Sequence, residues 1–439
     1  MKIAVYTPNH SNRLQYAFEE LIRYSSVDQI IWIHNEQELP SDIPVINYSD
    51  QLLSIPSFTV VPSGLLGERA TIELPIEWHL DRGLPYAFST NAKETSDWHF
   101  DLPALLFYAL SRLEEYGISR DEYGRATGAD SMGHQQGWLT IPYIDLWRQY
   151  FFEAFNLKLN QKVSMKDQGY FEFTMDVDMA YAFKCQNLFR TLGALLKDGM
   201  SGSYRQMRHR WSVICGKAKD PFDTFDSIRA HFPAPNGELI FFFLLSNGSA
   251  EDRSCSPSHP DFRRLIKSLD SDFSVGIHPS LRSSDQPQYL KLELDRFKDL
   301  LDKSPRISRQ HFLRLAFPDT YRAMLASGIK HDYTMGYHDV IGYRAGSALP
   351  FRWYDLEEEQ GTDLMIHPFF AMDVTLKKYM NVSPDKGLTI LKDQINYLKY
   401  HHLPFSCLWH NSSMSEVMGW QDWAFVPEEL LTFLKISYS

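Results

Sequence analysis

Apolar residues in the first part of the chain recur in short runs and at helical spacing. Ile3–Tyr6 and Ile30–Ile33 read as strands. Between them, Leu14, Phe18 and Leu21 share one face of a helix whose N-cap is Ser11 or Asn12. Asp101 before Leu102-Pro103 is a helix start, and Leu106, Leu110 and Leu113 keep register through Ala104–Glu115. A further helix runs from about Asp145 through Phe155, and the polar stretch Gln161 to Gly169 reads as a linker. From Tyr170 the texture changes, and short apolar strands alternate with longer amphipathic stretches. The strands expected are Phe171–Asp176, Leu239–Leu245, Phe273–His278, Ile307–Phe312, Tyr333–Gly336, Leu364–His367 and Phe405–His410. Gly328 after Thr320–Ser327 fits a helix C-cap feeding the fifth of them. Strands separated by helical patterns predict an α/β chain: a distorted (β/α)7-type barrel or a close relative over residues 166–439, preceded by a smaller mixed α/β domain over residues 1–165.

The first strand of the second part ends in chemistry. In Tyr170-Phe171-Glu172-Phe173-Thr174-Met175-Asp176-Val177-Asp178, the residues Phe171, Phe173 and Met175 share one parity and the two aspartates the other. Two carboxylates on one side of a strand end repel each other unless a cation or a proton lies between them. A metal, an acid/base pair, or both are therefore the candidates at this point.

Composition narrows the partners. The chain has 439 residues, of which 44% are hydrophobic, enough for two or three domains with a large core and against disorder. Aromatic residues make up 14%, a weak pointer to sugar stacking because core packing explains most of them. A net charge of −11 argues against nucleic acid as the main partner. The cysteines Cys185, Cys215, Cys255 and Cys407 are scattered and read as reduced thiols. No signal-peptide pattern follows Met1, and no window reaches the ~18 apolar residues of a membrane span, so a cytoplasmic location is expected. The sequence does not set the oligomeric state. One segment, Gln186 to Asp220, departs from the acidic average with seven Lys/Arg against two Asp. Arg205, Arg208 and His209 fall near helical spacing with Trp211, as on a solvated face or on a surface for anionic glycans, lipid headgroups or a partner.

In α/β barrels functional residues sit at the carboxyl ends of strands. That rule selects Asp176 and Asp178, His278, Arg309 with His311, His367 with Asp373 nearby, and Trp409-His410-Asn411. Each alone has an ordinary structural explanation: an Asp-x-Asp turn, a satisfied loop histidine, a hydrogen-bonded core histidine. Their joint placement at several strand ends is what points to a site.

These residues carry a resemblance. From Tyr170 to about Phe433 the chain resembles a divergent polysaccharide deacetylase domain, of the carbohydrate esterase family 4 type. Thr174-Met175-Asp176-Val177-Asp178 stands for the family's first motif, and Val275-Gly276-Ile277-His278 for the first half of its second. The second histidine of that motif falls at Arg282, which is no ordinary metal ligand. Ser308-Arg309-Gln310-His311, Asp373 and Leu408-Trp409-His410 match the later motifs, the Asp373 match being loose. Gly342-Tyr343-Arg344-Ala345-Gly346 resembles a signature of a bacterial subgroup of deacetylase-like proteins. Leu110–Tyr116 with Tyr123-Gly124-Arg125 resembles the companion domain of that subgroup.

The resemblance implies Asp176 as general base, Asp178 and His278 as ligands of a divalent metal, His410 as proton donor to the leaving amine, and Arg309 as the partner that holds Asp176 ionised. Zinc is the first choice, with manganese, cobalt or nickel as alternatives. With Arg282 at the expected second histidine, the third ligand is open among His311, His259, His338 and His367, with His311 put forward. Arg282, Arg344, Trp409 and Asp373 are candidates for substrate contact. Three functions follow. The chain is a metal-dependent amide hydrolase removing N-acetyl groups from a polysaccharide or glycan precursor; or a deacetylase-like glycan-binding or assembly protein without turnover; or a hydrolase of another C–N bond on the same scaffold.

Overall fold

The computed structural model describes residues 1–67, 76–90, 95–185, 193, 196, 200 and 203–439. In chain order its strands are β1 (Lys2–Tyr6), β2 (Gln29–Ile33), β3 (Val45–Asn47), β4 (Ser57–Thr59), β5 (His79–Asp81), β6 (Leu84–Tyr86), β7 (Phe171–Val177), β8 (Gly237–Phe243), β9 (Ser274–Ile277), β10 (Ile307–Ser308), β11 (His331–Asp332), β12 (Phe351–Asp355), β13 (Gln360–Ile366), β14 (Ala371–Met372) and β15 (Phe405–His410). Residues 1–119, 130–168 and 342–368 form one unit, and 120–129, 169–341 and 369–439 a second. The division is interleaved, where the sequence pattern placed one boundary after residue 165.

In the first unit a parallel sheet runs β2-β1-β3-β4. The apolar run Ile3–Tyr6 is buried in its centre. Helix Asn12–Ile22 follows because Ser11 caps it, accepting the Leu14 N–H at 3.0 Å, and Leu14, Phe18 and Leu21 turn inward. Helix Leu102–Leu110 is buried at every position and capped by Asp101. It stops short of the expected Glu115 because Arg112 takes a left-handed backbone (φ 55°), turning Leu113–Tyr116 into a 3-10 turn. The helix expected from Asp145 runs Tyr143–Leu159.

Leu364–His367, expected as a parallel strand of the second part, is corrected: it falls largely in β13, which pairs antiparallel with β12 inside the first unit. The turn at Glu357–Glu359 reverses the chain after one strand, too short a connection for a parallel crossover. Arg344 belongs to this unit too. Its Nε donates to Glu115 Oε1 at 2.8 Å and its Nη2 pairs with Oε2, while Arg112 Nη2 reaches Oε1 at 2.8 Å. All three side chains are buried.

In the second unit, parallel strands run β11-β10-β9-β8-β7-β15-β14. The last strand, β15, pairs with the first, β7, so chain order runs around the series; no ladder joins β11 to β14 among the described residues. Every residue of β7 is buried, as expected for a strand covered on both faces. Two expected strands are shorter or displaced. Ile307–Phe312 forms a ladder only over Ile307–Ser308, and Tyr333–Gly336 gives way to His331–Asp332. After β10 the chain turns into the 3-10 segment His311–Leu313, with Phe312 at φ 62°, so His311 leaves the sheet. The sixth parallel strand is Ala371–Met372.

Of the basic stretch, 186–192, 194–195, 197–199 and 201–202 lie outside the described residues; helix Tyr204–Ile214 presents Arg205, Arg208, His209 and Trp211 to solvent. Among the described residues no helix is long and apolar enough to cross a membrane.

The Arg344–Glu115–Arg112 cluster sets an acid limit on the first unit. Burial pushes the Glu115 carboxyl up, but Arg344 and Arg112 outweigh it and hold it at about 2, against an ordinary 4.5. A lowered folded value stabilises fully above the unfolded one, so this contribution is complete above about 4.5 and is lost as pH falls through about 2. Glu115→Gln removes the carboxylate that Arg344 and Arg112 share, Arg112 keeping Glu114, and is expected to cost about 3 kcal/mol at pH 7, read from urea denaturation. The cost shrinks as pH approaches 2, where the wild-type carboxyl is itself neutralised. Coincident denaturation curves at pH 7 would refute this role.

Candidate functional site

Parallel strands deliver their carboxyl ends to one side of a sheet. Here β7 leads into Asp178, β9 into His278, β10 into Arg309, β14 into Asp373, and β15 ends at His410. Register sets Asp176 on β7 directly beside His410 on β15. Gly276, two residues before His278, permits the close approach of β9 to β10 and β8: a Cβ there would meet the Ile307 carbonyl oxygen at 2.8 Å and Phe242 at 2.8 Å.

Arg309 organises the floor. It has no solvent exposure. Its Nη1 donates to Asp176 Oδ1 at 3.0 Å and to the Thr174 hydroxyl at 2.8 Å, and its Nε donates to the Tyr333 carbonyl at 2.8 Å. Thr174 and Asp176 share a face of β7, as alternation requires. The rings of Phe242 and Phe369 lie 4.7 and 5.3 Å from the guanidinium carbon and add cation–π attraction. Its backbone carbonyl accepts from His278 Nδ1 at 2.6 Å.

Above that floor three groups converge. Asp178 Oδ1 lies 3.3 Å from His278 Nε2 and 3.6 Å from His311 Nε2. One ligand atom from each of Asp178, His278 and His311 falls within 4.8 Å of the others. The hydrogen bonds behind the rings fix their tautomers. A carbonyl can only accept, so His278 Nδ1 carries the proton. His311 Nδ1 donates likewise to Asp252 Oδ1 at 2.8 Å. In neutral imidazoles both Nε2 atoms then present lone pairs towards a carboxylate. Asp178 Oδ1 is buried and has no hydrogen-bond partner. Three acceptors facing one another need positive charge between them.

The titration of the groups expresses the same demand. Burial pushes the His311 imidazole down, but Asp178 and Asp252 outweigh it and raise it to about 9. Burial pushes the Asp178 carboxyl up, yet His311, His278 and His410 hold it well below the usual range. The donor set fits a cation: ligand atoms ~2.1 Å from a tetrahedral zinc lie ~3.4 Å apart, close to the separations found.

His410 stands on the other side of Asp178, its Nε2 3.9 Å from Oδ2. Asp373 grips it from behind, accepting from Nδ1 at 2.8 Å and from the backbone N–H at 2.9 Å. Burial lowers the His410 imidazole, but Asp373, Asp178 and Asp176 outweigh it and raise it to about 10.

The structure thus brings together Asp176, Asp178, His278, His311, Arg309 and His410. The other expected residues lie elsewhere. Asp373, expected to touch substrate, is wholly buried behind His410. Trp409 is 1% exposed and stacks on Phe173, because it has the opposite parity to His410 on β15. Arg344 is taken up by Glu115 in the first unit. Arg282 is exposed; its guanidinium lies 4.0 Å from the Tyr289 ring, and its backbone N–H donates to Asp252 Oδ2 at 3.2 Å. His259 caps helix Pro260–Asp270, His338 lies 3.8 Å from both Asp121 and Asp339, and His367 lies in the first unit. Sequence reasoning missed Asp252. It accepts the Leu281 and Arg282 N–H groups as well as His311. Nothing in the polar run 246–258 marks it.

Residues 3–160 match a family model described as a family of unknown function, DUF7033. None of the curated proteins matches the chain. Among solved structures, an allantoinase (Puue) is 10% identical, with 62% of this chain and 85% of that chain covered at a TM-score of 0.39. A probable polysaccharide deacetylase from Pseudomonas aeruginosa is 10% identical over 61% and 85%, at a TM-score of 0.38. The polysaccharide deacetylase Bc1974 from Bacillus cereus is 11% identical over 61% and 87%, at a TM-score of 0.29. Similarity this low carries no weight on activity.

The convergent set predicts one tightly held divalent cation per chain. In competition titrations against a chelator, Asp178→Ala and His311→Ala are expected to lower zinc affinity by at least ~100-fold, and Asp252→Asn by ~10–100-fold through the misoriented His311 ring. Undiminished affinity in His311→Ala would remove it from the set.

Proposed function

We propose that the second unit is a metal-dependent amide hydrolase that removes N-acetyl groups from a glycan or glycan precursor. The observation that carries this reading is the convergence of Asp178, His278 and His311 beside Asp176, bound by Arg309, and His410, bound by Asp373. The circular strand order, with β15 paired to β7, supports a distorted (β/α)7-type barrel as the frame.

A divalent ion held by Asp178, His278 and His311, zinc before manganese, cobalt or nickel, would supply Lewis acidity towards the acetamide carbonyl and a more acidic water. The chain's own residues do the proton work. Asp176 has Oδ1 tied to Arg309, which leaves Oδ2 to accept a proton from the attacking water. Arg309 also fixes the aim of that oxygen, since its Nη1 and Nε are bound to other strands. His410, raised to about 10 without a bound cation, keeps its proton near neutrality, and Asp373 fixes Nδ1 so that Nε2 faces the site. From there it donates to the leaving amine nitrogen as the C–N bond breaks. Base and acid thus stand on adjacent strands, their aims set by buried partners.

Acetate release from N-acetylated oligosaccharides by the zinc-loaded protein tests the reading. Asp176→Asn is expected to lower kcat by ~10²–10⁴ with zinc affinity retained. Asp373→Asn is expected to lower kcat with little change in KM, because it acts on His410 and not on substrate. Sugar binding that persists with no acetate release from any N-acetylated glycan would overturn turnover and favour a binding or assembly role.

A further inference from the structure

Residues 120–129 belong to the second unit, although the chain on either side of them belongs to the first. This short segment carries Tyr123-Gly124-Arg125 and lies against the stretch after β10 that holds His311. Both of its ends are tied down. Arg120 Nη1 donates to the Leu315 carbonyl, and the Asp339 carboxylate accepts the Gly128 and Ala129 N–H groups at 2.9 and 3.0 Å. A Cβ at Gly128 would stand 2.4 Å from Val340 and 2.6 Å from Tyr337, so the segment rests directly on that chain. Between the anchors, Asp121 closes a turn. Its Oδ1 accepts the Tyr123 and Arg125 N–H groups at 3.0 and 2.8 Å, and its Oδ2 accepts from Arg125 Nε at 2.8 Å.

A line of ring contacts runs from this turn to the centre. The buried Arg125 guanidinium lies 5.0 Å from the Tyr123 ring and 5.9 Å from the Phe312 ring. Tyr123 stacks on Phe312, with centroids 5.0 Å apart and planes at 27°. Phe312 in turn meets the His311 ring edge-on at 4.5 Å. The stretch that receives these contacts needs them. Phe312 and Leu313 both take left-handed backbones, φ 62° and 56°, which a Cβ disfavours and which persist only where the surroundings fix them. Leu313 is fixed from within, packed with Phe369, Met372 and Leu408. Phe312 is half-buried and takes Tyr123 and Arg125 against its ring. This pair of turns carries the chain out of the ladder just where His311 reaches Asp178.

We infer that residues 120–129 form a strap that positions His311 for the metal centre, with Tyr123 as the positioning residue and Asp121 and Arg125 as the brace behind it. The inference rests on His311 as a metal ligand and not on the reaction the centre performs. Zinc affinity of the full chain, measured by competition with a chelator, tests it in a double-mutant cycle. Tyr123→Ala is expected to weaken zinc binding ~10-fold, and Tyr123→Phe, which keeps the ring, by less than about twofold. In the His311→Ala background, Tyr123→Ala is expected to add less than about twofold, because the imidazole it aims is gone. A general loss of stability would weaken zinc in both backgrounds alike, so the cycle separates it from positioning. With cobalt as the probe, the visible absorption bands of Tyr123→Ala are expected to move towards those of His311→Ala, while Tyr123→Phe keeps those of the wild type. Unchanged zinc affinity in Tyr123→Ala, or an equal loss in both backgrounds, would overturn the strap alone. Undiminished affinity in His311→Ala would sink the ligand assignment and the strap with it, whatever acetate release shows.

Discussion

A guanidinium cut off from water holds the centre of the second unit together. Arg309 is drawn into the interior by Asp176 and Thr174 on β7, by the Tyr333 carbonyl beyond β11, and by the rings above it. Burying a cation costs several kcal/mol unless it is paired and hydrogen-bonded, and here Nη1 and Nε are bonded while Nη2 is not. That cost is the constraint. Only a sheet in which β7, β10 and the segment after β11 meet around one point can keep Arg309 inside. The same contacts fix where Asp176 points, and the Arg309 carbonyl fixes the His278 tautomer. A single buried charge thereby orients both Asp176 and His278.

The remaining groups repeat this logic at smaller scale. Asp252 does for His311 what the Arg309 carbonyl does for His278, and Asp373 does it for His410. Three imidazoles each have Nδ1 anchored by an oxygen behind them and Nε2 turned inward. Where the inward atoms face a lone carboxylate, the raised His311 and lowered Asp178 show that protons alone would be pulled into the gap. A cation satisfies the same demand while leaving both rings neutral.

Much of this was legible in the sequence because it depends on local rules. Strand alternation puts Asp176 on one face with Thr174, and parallel strands bring His278, Arg309 and His410 to one side of the sheet whatever their spacing. What escaped depends on distant neighbours. Trp409 and His410 adjoin in sequence, yet one step of parity sends the tryptophan to the core. Leu364–His367 has the composition of a parallel strand, but its direction is set by the turn at Glu357–Glu359. Arg344 sits in a motif that invites a functional role, and its partner Glu115 is 229 residues away. Asp252 carried no signal, since a loop aspartate that holds a histidine looks like any other.

Arg282 is where the two kinds of information meet. Four residues after His278, the sequence offers a side chain that cannot ligate, and read locally the centre lacks a ligand. The fold shows the loop being used differently. Asp252 captures the backbone N–H groups of Leu281 and Arg282, so the loop is shaped by main chain and the Arg282 side chain is exposed. The same carboxylate orients His311, which reaches Asp178 from the end of the neighbouring strand because Phe312 turns the chain out of the ladder there. The imidazole that meets Asp178 and His278 comes from the end of β10 and not from position 282, and Asp252 is the group that couples the two positions. A centre defined by converging lone pairs depends on the positions of its donor atoms and not on their order along the chain.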